Sequence, residues 1–339
     1  MKISECAVAN LQALGYTEAE ARFLYVAATH SGYFTMWQFL DFVQGVSGKR
    51  SACFSEKLCA LGHASAQRYM RRSLVYHLDS RSLYRTIGKE HLRHRREHEL
   101  GHIKTRLLAL DFILAHPEYD YFETAQDKRR YLTKELNLDS ALFAVQGKQR
   151  DPLTFSDGFP VCLASPSPGL LPVVTFTYVD PGDKNVDAYV AHLHAYRPLF
   201  RQLSRFQFVY ISTAAGRLEE VGLIFSLLVE GQGTGELLRY FDLQTKWDQE
   251  QYGRLTEPDM LFLYDARRRY VGDFFASLYR LWRRNEFPED LARTGIAGQE
   301  PERGIHFEAV TVPGHDTVFG NTTKRWGDAW QIRGRARSP

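Results

Sequence analysis

The sequence contains no apolar run long enough to span a membrane, and its opening Met1-Lys2-Ile3-Ser4-Glu5 lacks the charged-then-apolar form of a secretory signal. A cytoplasmic protein with no membrane partner is the expectation. Cysteine is scarce: Cys6, Cys53, Cys59 and Cys162 show no C-x-x-C spacing, which fits reduced thiols better than a disulfide or cysteine-rich zinc framework. There is no Walker lysine loop and no dinucleotide fingerprint. Gly231-Gln232-Gly233-Thr234-Gly235 follows a helical pattern with no lysine to close it, so it reads as an interhelical loop. No cofactor is expected. A formal charge of +3 over 339 residues is too small for bulk charge to argue for nucleic acid, so the placement of Arg and Lys carries that case. What is present is ordinary: 44% hydrophobic and 24% charged residues describe a globular chain with a real core, and the length favours two domains.

In chain order, a helical run from Ile3 to Leu14 is broken by Gly15, and Thr17 opens a capping box with Glu20 for a second helix ending at Gly32. A short helix follows from Thr35. Gly45, Ser47 and Gly48 introduce another that runs to about Leu61, with Phe54, Leu58 and Leu61 inward and Lys49, Ser51, Ala52, Ser55 and Cys59 outward. Two strands, Ala66 to Met70 and Leu74 to Leu78, join through Arg71-Arg72-Ser73. Three helices followed by a hairpin with an arginine tip is the plan of a winged helix-turn-helix, in which a helix fits the major groove and the hairpin reaches the backbone. The expected DNA contacts are Lys49, Arg50, Ser51 and Ser55 on the third helix and Arg68, Arg71 and Arg72 on the hairpin, with Arg95 and Arg96 beyond it.

Lys89 to His116 reads as one long connector helix. Leu100, Ile103, Leu107, Leu110 and Leu114 fall on one face, with His91, His94, His98 and His102 opposite, interleaved with Arg93, Arg95 and Arg96. Within it His98-Glu99-Leu100-Gly101-His102 matches H-E-x-x-H, whose histidines share a zinc while the glutamate activates its water. Glu118 or Glu123 could complete such a site. Against zinc, Arg95, Arg96, Glu97 and Lys104 crowd the motif, and the histidines face away from the leucine stripe. The basic face is instead expected to extend the DNA surface beside the arginine hairpin, with His98 and His102 as phosphate neighbours turning cationic below about pH 6.5.

After Pro117 the pattern is α/β: strands at Tyr119–Phe122, Phe159–Leu163, Leu171–Val179 and Phe206–Ile211, with helices at Asp127–Leu136, Val186–Leu203 and Arg217–Leu228. The strands at Leu171–Val179 and Phe206–Ile211 are expected to lie parallel across a right-handed crossover. Glu236–Gln251 and Met260–Arg284 add two helices. The chain thus divides into residues 1–88 (winged helix-turn-helix), 89–116 (basic connector), 117–290 (α/β domain) and 291–339 (basic C-terminal tail).

The winged-helix half followed by Phe155 to Ile211 resembles the replication-relaxation family of plasmid and mobile-element proteins, over most of residues 17–230. That resemblance implies a second domain similar to the PD-(D/E)xK nuclease fold, with Asp157 and Asp180 at the positions of a magnesium-binding acidic pair. Where an E-x-K pair would fall, the sequence reads Thr175-Phe176-Thr177-Tyr178, which favours a degenerate, binding-only domain. The Leu-Gly-Tyr-Thr-Glu-Ala-Glu-Ala-Arg-Phe-Leu-Tyr run from Leu14 and Phe-Val-Tyr-Ile from Phe208 also look like the cointegrate resolution T proteins, accessories to tyrosine recombinases in transposons. The function these readings imply is sequence-specific binding of double-stranded DNA by a non-enzymatic, homo-oligomeric accessory of a mobile element, in recombination or in plasmid replication or mobilisation. Its partner would be a tyrosine recombinase or another mobile-element protein. The alternatives are a magnesium nuclease using Asp157 and Asp180 and a zinc hydrolase using His98, His102 and Glu123.

Overall fold

The computed structural model describes residues 1–45, 48–70, 73–139, 159–165, 172–182, 185–289, 291 and 304–312, with the backbone alone at 49, 50, 69, 70 and 73. The fold is mixed α and β, with two separate sheets. The chain forms two compact units: Met1–Asp183 with Val209–Thr213 and Val310–Pro339, and Lys184–Phe208 with Ala214–Ala309.

The first unit opens with helices α1 (Glu5–Ala13) and α2 (Glu18–His30). The Thr17 capping box forms as its sequence dictates, the Thr17 hydroxyl accepting from the Glu20 amide and the Glu20 carboxylate from the Thr17 amide. Gly32 then turns the chain at φ +81 into strand β1 (Tyr33–Thr35). There a Cβ would stand 2.5 Å from the His94 carbonyl oxygen, so both conformation and space require glycine. Helices α3 (Met36–Phe42) and α4 (Lys49–Ala60) lead to strands β2 (Ser65–Met70) and β3 (Ser73–His77), and helix α5 (Arg81–Thr86) follows. The strands form an antiparallel sheet in the order β1-β3-β2. Phe23, Phe34, Phe39 and Phe54 fill the space between helices and sheet, Phe39 stacking on Phe54 at 4.0 Å.

The long connector helix expected from Lys89 is corrected. Only Leu100–Ala115 is α-helical (α6), preceded by a single 3-10 turn at Arg93–Arg95. The cause lies in where the backbone carbonyls go. His77 Nε2 donates to the His94 oxygen at 3.1 Å and the Tyr33 hydroxyl to the Arg96 oxygen at 3.1 Å, taking acceptors that a continuous helix would use itself. Nor is α6 a two-faced helix. Ile103 and every residue from Thr105 to Ile113 are buried, while Leu100, read as part of the apolar stripe, is 43% exposed. Gln38 fixes α6 to α3 by donating to the Leu107 carbonyl at 2.9 Å and the Asp111 carboxylate at 2.7 Å.

A second sheet has the order β4-β5-β6-β7-β8, from Asp120–Tyr121, Val161–Ala164, Val173–Asp180, Arg205–Ser212 and Gly304–Thr311. Between β4 and β5, Ala125–Arg130 forms helix α7 and continues as a π-helical turn to Glu135. β4, β5 and β6 pair antiparallel, and every residue of β6 is buried, Thr175, Thr177 and Asp180 among them. The ends of β6 and β7 meet where the Thr213 hydroxyl donates to the Pro181 carbonyl, so these two strands run the same way, as expected. β8 was not foreseen: it lies in the stretch read as the C-terminal tail. Its ends bond to β7 through Gly304 to Ser204 and Val312 to Ser212, which gives the two strands one direction.

The second unit carries helices α8 (Val186–Gln202), α9 (Leu218–Phe225), α10 (Thr234–Asp248), α11 (Glu257–Arg269) and α12 (Asp273–Arg283). The single helix expected over Met260–Arg284 is two, because Gly272 at φ +118 breaks it. Phe200, Phe206, Phe208, Phe225 and Phe307 form an aromatic core inside this unit.

Candidate nucleic-acid interface

Helix α4 has a sharply divided surface. Phe54 and Leu58 have no solvent exposure, and the opposite side presents Ala52, Cys53, Glu56, Cys59 and Ala60. Residues 52, 56 and 59 repeat at four and three, one stripe of a helix. One of the expected contacts is corrected. Ser51 is buried, and its hydroxyl donates to the Gly48 carbonyl at 2.8 Å while accepting from the Gly48 amide, so it caps the helix. Ser55 is half-buried and donates to the Ala52 carbonyl at 2.9 Å. Lys57, on the same helix, is committed inward, bonding Glu20 at 2.7 Å and the Gly15 carbonyl at 3.0 Å. Glu56 had been overlooked. Stepping one turn from Ala52, opposite the Phe54 and Leu58 pair, would have found it.

Arg68 is exposed on β2. The side chains of Lys49 and Arg50, and residues Arg71 and Arg72 altogether, lie outside the described residues. Arg95 and Arg96 are exposed, but their setting differs from the expectation. The turn that carries them is bonded to Tyr33 and His77, whose rings stack at 4.2 Å, and His77 pairs with Ser65. The hairpin closes instead at Met70 opposite Ser73. Four steps along the strand separate Ser73 from His77, about 14 Å of rise. Arg95 and Arg96 therefore sit at the far end of this sheet from the Met70 and Ser73 pair, not beside it.

Several other basic residues of this region are instead engaged within the fold, while His91 and Arg93 are exposed. His94 is buried, and burial, then the charges of Arg106, His30 and Lys128, hold its pKa well below the ordinary range. His30 is lowered to about 3, first by burial and then by Lys128, Lys89 and Arg106. Lys89 pairs with Glu123, whose other oxygen accepts from the Tyr25 hydroxyl at 2.5 Å. Arg106, 7% exposed, donates to His102 Nε2 at 3.1 Å and to the His30 carbonyl at 3.4 Å. Lys128, 5% exposed, donates to the Phe159 carbonyl at 3.2 Å.

These contacts also surround the zinc motif. His98 and Glu99 precede the first turn of α6, so the two histidines do not project from one regular helix. Their rings stack face to face at 4.2 Å, and His102 Nε2 is occupied by Arg106. Glu123 is held by Lys89 and Tyr25. Among the described residues no group of three His, Cys, Asp or Glu side chains is gathered to hold a metal. The expectation that His98 turns cationic near pH 6.5 is corrected as well: burial first, then Arg106 and His77, lower its pKa.

Of the acidic pair, Asp157 lies outside the described residues. Asp180, 2% exposed, accepts from the Tyr210 hydroxyl at 2.6 Å and the Gly182 amide at 2.9 Å, an arrangement that ties the turn after β6 to β7. No protein-family model, curated protein or solved structure matches the chain.

Proposed function

We propose that the chain is a sequence-specific double-stranded DNA-binding protein, an accessory rather than an enzyme, acting for a mobile element alongside a tyrosine recombinase or comparable partner. The observation that carries this reading is α4: one face sealed into an aromatic core, the other a stripe of small side chains around Glu56. Set in the order α2, β1, α3, α4, β2, β3 with sheet order β1-β3-β2, it corresponds to the recognition helix of a winged helix-turn-helix. Small side chains let such a helix approach base edges closely. Glu56 is suited to accept from a cytosine amino group, and Arg68 with the hairpin arginines to meet phosphates. The bonds from Tyr210 and Gly182 to Asp180 favour a structural role for it and a binding-only α/β domain over a magnesium nuclease.

Selection of bound duplexes from a random pool tests this, followed by titration of the selected site at rising salt. A preferred site with steep salt dependence is expected, together with a footprint lost in Arg71→Ala/Arg72→Ala. Equal affinity for selected and random duplex at moderate salt would overturn it.

A further inference from the structure

Helix α11 carries the most exposed large apolar side chains among the described residues: Leu261 is 64% exposed and Tyr264 63%, with Met260 at 40%. Its inward face is fixed elsewhere, by Leu263 and Ala266, which are buried. At 100° per residue, Glu257, Leu261, Tyr264 and Arg268 fall within an arc of about 60°, opposite that buried pair. All four are exposed. Their spacing of four, three and four is that of a coiled-coil seam.

The order of residues along the seam identifies what covers it. It is acidic at the start, apolar in the middle and basic at the end. We propose that this face binds a second copy of the chain, α11 packing antiparallel on α11 about a two-fold axis between Leu261 and Tyr264. In that register Leu261 of each copy meets Tyr264 of the other, and Glu257 meets Arg268, so one pattern supplies both halves of an isologous contact. Antiparallel packing also sets each helix dipole against the opposite end of its neighbour. Arg268 lies over the Tyr264 ring at 5.8 Å, which places the cation at the edge of the apolar centre where the partner's Glu257 would arrive. Met260 and Asp265 flank the seam on its solvent edges. A contact of this size sits at the small end of specific interfaces, so the dimer is a dissociable one.

Sedimentation equilibrium of the full chain over a concentration series reads this directly. The wild type should reach twice the monomer mass. Glu257→Arg and Arg268→Glu, each placing two like-charge pairs across the axis, should each weaken association by about tenfold or more. The double variant Glu257→Arg/Arg268→Glu should restore it, because the swap recreates the complementarity, and Leu261→Asp should abolish it. Circular dichroism checks that each variant keeps its helix content; the rescue by the double variant excludes misfolding as the cause of the single losses. A wild type that is monomeric throughout overturns the proposal, as does a dimer indifferent to the single reversals. A monomer that dimerises only on removal of residues 313–339 also overturns it, assigning the face to the chain's own C-terminal segment.

Discussion

Helix α4 opens on Lys49 and Arg50 and helix α6 follows Arg93, Arg95 and Arg96, yet the two helices occupy opposite situations. α4 buries a narrow face through Phe54 and Leu58 and leaves the other in water, whereas α6 is enclosed from Thr105 to Ile113 and takes Arg106 inside with it. Positive charge in the sequence is therefore a poor guide to a nucleic-acid surface here. Lys57, Lys89, Arg106 and Lys128 all spend their charge within the fold, on Glu20, Glu123, His102 and the Phe159 carbonyl. Burial separates a helix with one open face from an enclosed helix where composition does not.

The sharpest way to break this comparison is to remove volume from α6. Phe112 is 1% exposed, so Phe112→Ala should cost about 3–5 kcal/mol in chemical denaturation through lost burial and a cavity. Cys59→Ala, on the exposed side of α4, should cost no more than about 0.5 kcal/mol. Equal losses from the two would mean that the helices are not differently buried.

Next in size is Glu123→Ala, which strips the carboxylate from both Lys89 and Tyr25. The Lys89 and Glu123 side chains are each 20% exposed, so the loss should be about 2 kcal/mol, below that of a fully enclosed pair. Lys89→Met in the same background should recover part of it, because the stranded cation is then gone. An exposed basic connector of the kind first expected would show neither effect.

Proton uptake sharpens the comparison further. His30 and His94 have pKa values lowered in the fold, His30 to about 3, whereas in the unfolded chain both titrate near the ordinary 6.5. A lowered histidine stabilises the fold fully above the unfolded pKa and loses that contribution as pH falls below it. Each should therefore cost about 1 kcal/mol by pH 5.5, continuing downward toward pH 3 for His30. Denaturation midpoints measured from pH 7.5 to 5 should decline accordingly, and His30→Gln should flatten the curve. A midpoint constant over that range would show these rings to be solvated in the fold.

Much of the N-terminal architecture was legible because its signals are local. The Thr17 cap, the Phe54 and Leu58 spacing and the two strand runs of the hairpin act over a few residues. The break before α6 was not legible, because it depends on Tyr33 and His77 reaching carbonyls at Arg96 and His94, far along the chain. Ser51 misled for a related reason: serine on an outward-reading position and serine closing a cap on Gly48 look alike until the hydroxyl's partner is known. β8 was hidden by a neighbourhood rich in glycine, proline and arginine, whose composition suggested a tail.

The smallest expected effect on stability is the most direct on function. Arg68 is exposed on β2, so Arg68→Ala should leave denaturation unchanged within about 0.5 kcal/mol. If Arg68 neutralises one phosphate, the slope of log affinity against log salt should fall by about 1, and affinity should drop for selected and random duplexes alike. Glu56→Gln should do the reverse, changing which sequences are preferred while leaving the salt slope near its original value, since it places no cation on the backbone. A change of preference from Arg68→Ala, or of slope alone from Glu56→Gln, would exchange the roles of wing and helix and shift the reading surface away from α4.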